Sequence, residues 1–260
     1  MSLLSIENVN QTYVDSYTND TTVAVGDVSF EVPDGQFVSL LGQSGCGKTT
    51  VLNIVAGFVK ATGGEVRVAG QPIAGPGPDR GVVFQDFALF PWMSVESNIA
   101  FGLKMQGIPK EERRRRAREM TALVGLSGFE KKFPHELSGG MRQRAGVARV
   151  LVTEPSIMLM DEPFASIDAQ TRRVLQQEVL RIWEHQRPTV LFVTHDVDEA
   201  IFMSDRVIVL GNRPSTVQAD VEIPIPRPRT WRQIQSNPEF LRIRNELMTM
   251  LGVEDQEEPE

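Results

Sequence analysis

Phe37-Val-Ser-Leu-Leu-Gly-Gln-Ser-Gly-Cys-Gly-Lys-Thr-Thr50 is the stretch on which the fold turns. Phe37–Leu41 is an almost unbroken apolar run of strand length, the mark of a strand buried on both faces. It leads directly into Gly42-Gln-Ser-Gly-Cys-Gly-Lys-Thr49, which fits the pattern G-x-x-x-x-G-K-[ST], with a helix expected from Lys48 to about Gly57. Glycines at 42, 45 and 47 let backbone N–H groups turn inward and cradle phosphate oxygens at a helix N-terminus, where the dipole favours negative charge. Lys48 adds a point charge for the β- and γ-phosphates, and the Thr49 hydroxyl is placed to ligate Mg²⁺. Gln43, Ser44, Cys46 and Thr50 complete the loop's candidate nucleotide contacts, with Cys46 read as packing and not as a redox centre. The loop alone says nucleotide binding and no more, because kinases, GTPases and motor ATPases share it.

Outward from this loop, β-branched and apolar runs alternate with longer helical patterns, the signature of an α/β fold with a mainly parallel sheet. Leu3–Val9 and Val23–Val32 read as early strands around the polar loop Asp15–Thr22. Glu65–Val68 and Gly81–Phe84 are further strands, separated by the turn Gly75-Pro-Gly-Pro78. Val95 to about Val124 is helical, with Pro109 at a helix start. The run Arg113–Arg116 lies there, either as a solvated face or as a contact for anionic lipid or a partner. Gly139–Thr153, Ala169–His185 and Val197–Phe202 read as helices. Ile157–Met160, Thr189–Val193 and Arg206–Leu210 read as strands. Pro224-Ile-Pro-Arg-Pro228 is extended, Pro238–Leu251 forms a closing helix, and Asp255–Glu260 is an acidic tail.

Composition narrows the classes. A net charge of −7 argues against a general nucleic-acid binder, since phosphate neutralisation supplies most of that affinity. One cysteine permits no intramolecular disulfide. The first ten residues carry no basic and apolar pattern of a secretory signal, and no run approaches the roughly 20 apolar residues of a spanning helix. Any membrane path must then come from other chains.

The remaining motifs discriminate among nucleotide binders. Leu137-Ser-Gly-Gly-Met141 opens a helix and resembles the ABC signature LSGGQ, with Met141 in place of the usual Gln. Ile157-Met-Leu-Met-Asp161-Glu162 resembles a Walker B strand. Ser166-Ile-Asp168 resembles the D-loop, Gln85 in Val82-Val-Phe-Gln85-Asp86 matches the Q-loop glutamine, and His195 matches the switch histidine. All of them, from about Leu3 to Leu210, occur in the order of the ABC ATPase family.

The resemblance implies a P-loop NTPase core of ABC-ATPase type, with an N-terminal antiparallel β subdomain and a helical signature subdomain. It places an ATPase domain at 1–222, with a helical subdomain about 93–137, followed by a C-terminal segment at 223–260. It implies roles too. Glu162 polarises the attacking water, His195 holds its geometry, and Lys48 completes the catalytic set. Asp161, Gln85 and Thr49 serve Mg²⁺. Ser138, Gly139 and Gly140 reach the γ-phosphate of ATP held by a second ATPase subunit, a homodimer mate or sister chain, and Asp168 touches that subunit. Tyr13 is favoured over Tyr17 as the aromatic that stacks on adenine. His135 and His185 read as surface or helix-end residues.

Pro76-Gly-Pro-Asp-Arg-Gly-Val-Val-Phe-Gln85, Leu89-Phe-Pro-Trp92 and Val95-Glu-Ser-Asn98 are similar to the nitrate/sulfonate/taurine branch of importers. Membership would imply a transmembrane permease that docks at Phe87–Trp92, and a periplasmic or extracellular solute-binding protein acting indirectly. It would imply a peripheral location at the cytoplasmic face of the inner membrane, a small anion as cargo, and no nucleic-acid partner. The competing readings are an exporter ATPase and a soluble ABC-type ATPase not coupled to transport.

Overall fold

A computed structural model describes residues 2–165 and 167–252, so Ser166 and the acidic tail Asp255–Glu260 lie outside the described residues. The chain runs β1 (Ser2–Val14), β2 (Thr21–Pro33), β3 (Phe37–Leu41), α1 (Lys48–Ala56), β4 (Gly63–Val68), β5 (Gln71–Pro72), β6 (Arg80–Val83), α2 (Val95–Ile99), α3 (Phe101–Met105) and α4 (Lys110–Leu123). It continues with a 3₁₀ turn (Pro134–Glu136), α5 (Gly139–Leu151), β7 (Ile157–Asp161), α6 (Ala169–Gln186), β8 (Thr189–Thr194), α7 (Val197–Met203), β9 (Arg206–Leu210), β10 (Val217–Glu222), α8 (Trp231–Ile234) and α9 (Pro238–Met250). It forms two units: Met1–Pro76 with Leu191–Glu260, and Gly77–Val190.

The first unit carries an antiparallel sheet in the order β2-β1-β4-β5. β1 and β2 run further than the apolar alternation indicated, because polar residues bulge out of the ladder without ending it. Asn8 and Asp27 take φ of 49° and 57°. Asn8 Nδ2 donates to Asp27 Oδ1 at 2.8 Å, and the Asp27 N–H donates to Asn10 Oδ1 at 3.0 Å, replacing ladder bonds that a bulge forfeits. In the same unit β3 pairs in parallel with β9, and β10 adds antiparallel to β9. Every residue of β3 is buried, as its apolar run predicts. β10 was not legible as a strand: its residues alternate between half-buried and exposed, the pattern of an edge strand with one wet face.

Beyond β10 the extended segment is held by a buried cation. Arg229 donates to the carbonyls of Ile201, Phe202, Ser204, Ile223 and Ile225, at 2.7 Å for Ser204 and for Ile225. Its neighbour Arg227 pairs with Asp205 at 2.8 Å. The first of these clusters satisfies the carbonyls that the end of α7 leaves without helical partners.

In the second unit β6 and β7 pair in parallel. The helical stretch from Val95 is present but broken twice. Ser94 caps α2 by accepting from the Ser97 N–H, Gly107 at φ 77° ends the turn after α3, and Pro109 precedes α4. The arginine run is used within its own unit. Arg115 bridges Glu112 and Glu119 at 2.6 and 2.7 Å, and Arg116 reaches Glu154 and the Val152 carbonyl. For these two arginines the structure favours the solvated, self-paired face.

Candidate functional site

The loop from Gly42 to Thr49 joins β3 to α1 as the sequence predicts. Gly45 and Gly47 adopt φ of 80° and 109°, backbone that a side chain resists. At Gly47 a Cβ would also lie 2.7 Å from Ser215 Oγ and 2.9 Å from the Ala24 carbonyl, so that position is closed twice over. Lys48 is 4% exposed, and its Nζ donates to the Gly42 and Gln43 carbonyls, each at 2.9 Å. Its ammonium is therefore held against the loop. Cys46 is buried, while Gln43, Ser44, Gly45 and Thr49 are exposed and Thr50 is half-buried.

His195 stands exposed where β8 ends and α7 begins. Its setting is built by flanking side chains. The Thr194 hydroxyl donates to Glu199 and accepts from the Asp196 N–H at 3.0 Å. Asp196 caps α7 by accepting from the Glu199 N–H at 3.0 Å. Sequence reading missed this set; the spacing from Asp196 to Glu199 is the capping-box spacing that could have flagged it. Tyr13 lies in β1 opposite Thr22 and is 42% exposed, whereas Tyr17 is 98% exposed.

Gln85, Asp161, Glu162, Ser138–Gly140 and Asp168 belong to the second unit. β7 brings Asp161 and Glu162 to its end, both half-buried, and Glu162 takes φ 42°. A non-glycine residue in that region is uncommon, and such outliers gather at functional positions. Ser138 caps α5 by accepting from the Met141 N–H at 3.3 Å, so the Ser-Gly-Gly turn forms a helix N-terminus. Such an end offers unpaired N–H donors to an anion. Asp168 caps α6 through the Thr171 N–H at 3.0 Å, and that bond holds its carboxyl below the usual aspartate value. His135 stacks on Phe133, and His185 sits at 2.7 Å from the Arg181 carbonyl; both are exposed, as expected.

Gln85 is exposed and begins a tightly held loop. Phe87 and Ala88 both take positive φ, at 53° and 46°. Arg142 lies over the Phe87 ring at 5.4 Å, and Arg149 over the Phe90 ring at 5.3 Å while donating to the Ala88 carbonyl. Burial lowers the Arg149 pKa. Asn98, 0% exposed, accepts from the Phe90 N–H at 2.8 Å and donates to the carbonyls of Phe90, Met93 and Ser94. Phe87 and Phe90 thus pack partly inward, and Trp92 is 69% exposed.

These features define an α/β nucleotide-binding protein built on a phosphate loop. Residues 25–165 match the ABC transporter family, and the chain belongs to that family as an ATP-binding, ATP-hydrolysing chain. It is 46% identical over 248 residues to an uncharacterized ABC transporter ATP-binding protein of Methanocaldococcus jannaschii, covering 95% of this chain and 91% of that protein. It is 45% identical over 232 residues to the nitrate import ATP-binding protein NrtD of Synechococcus elongatus, covering 88% of this chain and 85% of that one. A solved dimeric ATP-binding cassette in a post-hydrolysis state, bound to ADP and Pi, superposes with a TM-score of 0.73 at 30% identity, over 86% of this chain and 100% of that chain. Among the described residues no helix is long and apolar enough to cross a membrane.

Proposed function

We propose that this chain energises an importer for a small anion, as one of two ATPase subunits attached to a transmembrane permease at the cytoplasmic face of the membrane. The observation that carries this reading is the 45% identity to a nitrate import ATP-binding protein across most of both chains. A solute-binding protein outside the membrane would select the cargo. Nitrate is the first candidate, with sulfonates and the sulfonate-bearing zwitterion taurine as the alternatives.

Within the proposed site each residue has a role. Backbone donors of residues 42–49 and Lys48 hold the phosphates of ATP, and Tyr13 stacks on its base. Ser138, Gly139 and Gly140 of one subunit face the γ-phosphate held by the other, with Asp168 at the contact between them. Glu162 accepts a proton from the attacking water, and His195 fixes that water's geometry.

Thr49, Gln85 and Asp161 offer a hydroxyl, an amide oxygen and a carboxylate. That all-oxygen set suits Mg²⁺ and not a soft metal. When bound, Mg²⁺ offsets phosphate charge.

The test is Glu162→Gln with the permease co-expressed. ATP binding should persist, turnover should fall by about 10²–10⁴-fold, and the subunit should accumulate as an ATP-held pair. Normal hydrolysis by the variant would refute the assigned base. Solute-dependent stimulation of the wild-type complex by nitrate, against sulfonate and taurine, then tests the cargo.

A further inference from the structure

The C-terminal helix reaches the phosphate loop. Leu251, which caps the end of α9, presents a carbonyl that has no intrahelical partner by position, and Gln43 Nε2 donates to it at 2.7 Å. The main-chain carbonyl of the same Gln43 accepts from Lys48 Nζ at 2.9 Å. Gln43 therefore joins the end of α9 to the ammonium of the loop by two hydrogen bonds, one from its side chain and one to its main chain.

Earlier in α9, Arg244 Nε donates to Asp198 Oδ1 at 2.8 Å. Asp198 lies in the first turn of α7, the helix that follows His195. Along the same helix Phe240, Ile243 and Leu247 are buried, so α9 is a packed strut and not a fraying end. The chain leading into it is fastened by Arg229. A helix C-terminus carries partial negative charge, which opposes an anion nearby; the Gln43 amide stands between that end and the loop.

We infer that α9 positions the phosphate loop and the start of α7, and that Gln43 and Arg244 are positioning residues for ATP use, acting through Lys48 and His195. The inference rests on residues 42–49 holding the nucleotide. It assigns the C-terminal segment a part in the chemistry of the first unit, beyond closing the fold.

The test uses the full chain, with a fluorescent ATP analogue for binding and steady-state hydrolysis for KM and kcat. Gln43→Ala should raise the nucleotide Kd and KM by about fivefold. Arg244→Glu should raise KM by about threefold, and pairing it with Asp198→Lys should return KM to within about twofold of wild type. Combining Gln43→Ala with Arg244→Glu should give less than the product of the single effects, because both act through one helix. Melting temperatures separate this from plain stabilisation, which would shift melting and leave KM unchanged. Unchanged KM in both single variants, or no recovery in the charge-swapped pair, overturns the inference while Lys48→Ala still abolishes binding. If Lys48→Ala leaves binding intact, the reading of the loop itself falls and takes the inference with it.

Discussion

Replacing Arg229 with Ala should destabilise the protein by about 3–4 kcal/mol. Arg229 is 7% exposed, and its guanidinium serves five main-chain carbonyls, those of Ile201, Phe202, Ser204, Ile223 and Ile225. A buried acceptor left without a donor costs about 1–3 kcal/mol. Water entering the truncated site would satisfy some of the five, and removing a buried cation returns part of its desolvation penalty. About two orphaned carbonyls remain, which sets the figure. Against a typical total of about 5–15 kcal/mol, that is a severe loss. Urea unfolding followed by tryptophan fluorescence reads it well, since Trp231 stacks on Phe202 at 4.2 Å and reports the same neighbourhood. The midpoint should fall by about 1–2 M. Arg229→Lys should lie between, because one ammonium cannot replace a planar fork. A midpoint within about 0.3 M of wild type for Arg229→Ala, with the slope unchanged, would refute the assignment.

Other substitutions address the site. Asn98→Asp keeps the shape but removes the amide donors to the Phe90, Met93 and Ser94 carbonyls; a loss of about 2–4 kcal/mol is expected by the same denaturation assay. Gly47→Val should abolish binding of a fluorescent ATP analogue in a protein that still unfolds cooperatively, because the position combines φ 109° with a Cβ clash. Asp168→Asn retains an acceptor for the Thr171 N–H but no charge. The Asp168 carboxyl is depressed chiefly by that backbone bond, so its contribution is present above the ordinary aspartate range and is lost as pH falls through the lower folded value. The melting-temperature gap between wild type and Asp168→Asn should therefore close on acidification from pH 6 towards pH 3. A gap that widens in acid would contradict the sign.

Much of this architecture was legible in the residues. The loop after Phe37–Leu41, the carboxylates after Ile157–Met160 and the cap at Ser138 announce themselves because each is a local pattern, with the residues that matter adjacent in the chain. β10 escaped because one wet face dilutes its alternation to half-buried against exposed. Arg229 escaped for another reason. Nothing in the Pro/Arg-rich stretch Ile225–Arg229 marks it locally, and only the chain returning past α7 supplies carbonyls to bury it. Asn98 is a similar case, a polar residue inside a helical run whose partners lie in the preceding loop. Arg115 and Arg116 illustrate a choice the sequence left open: a like-charge run fits a solvated face or an external contact, and acidic residues at helical spacing and Glu154 answer these two internally.

The Asn98 amide fastens the main chain at Phe90 and at Met93, on either side of Trp92. An indole displayed on so stiff a mount has little backbone freedom left to surrender on contact. Whatever covers Trp92 gains the burial of a large ring at a small entropic penalty. The exposure of the ring makes its emission a gauge of occupancy, shifting to the blue when the ring is shielded.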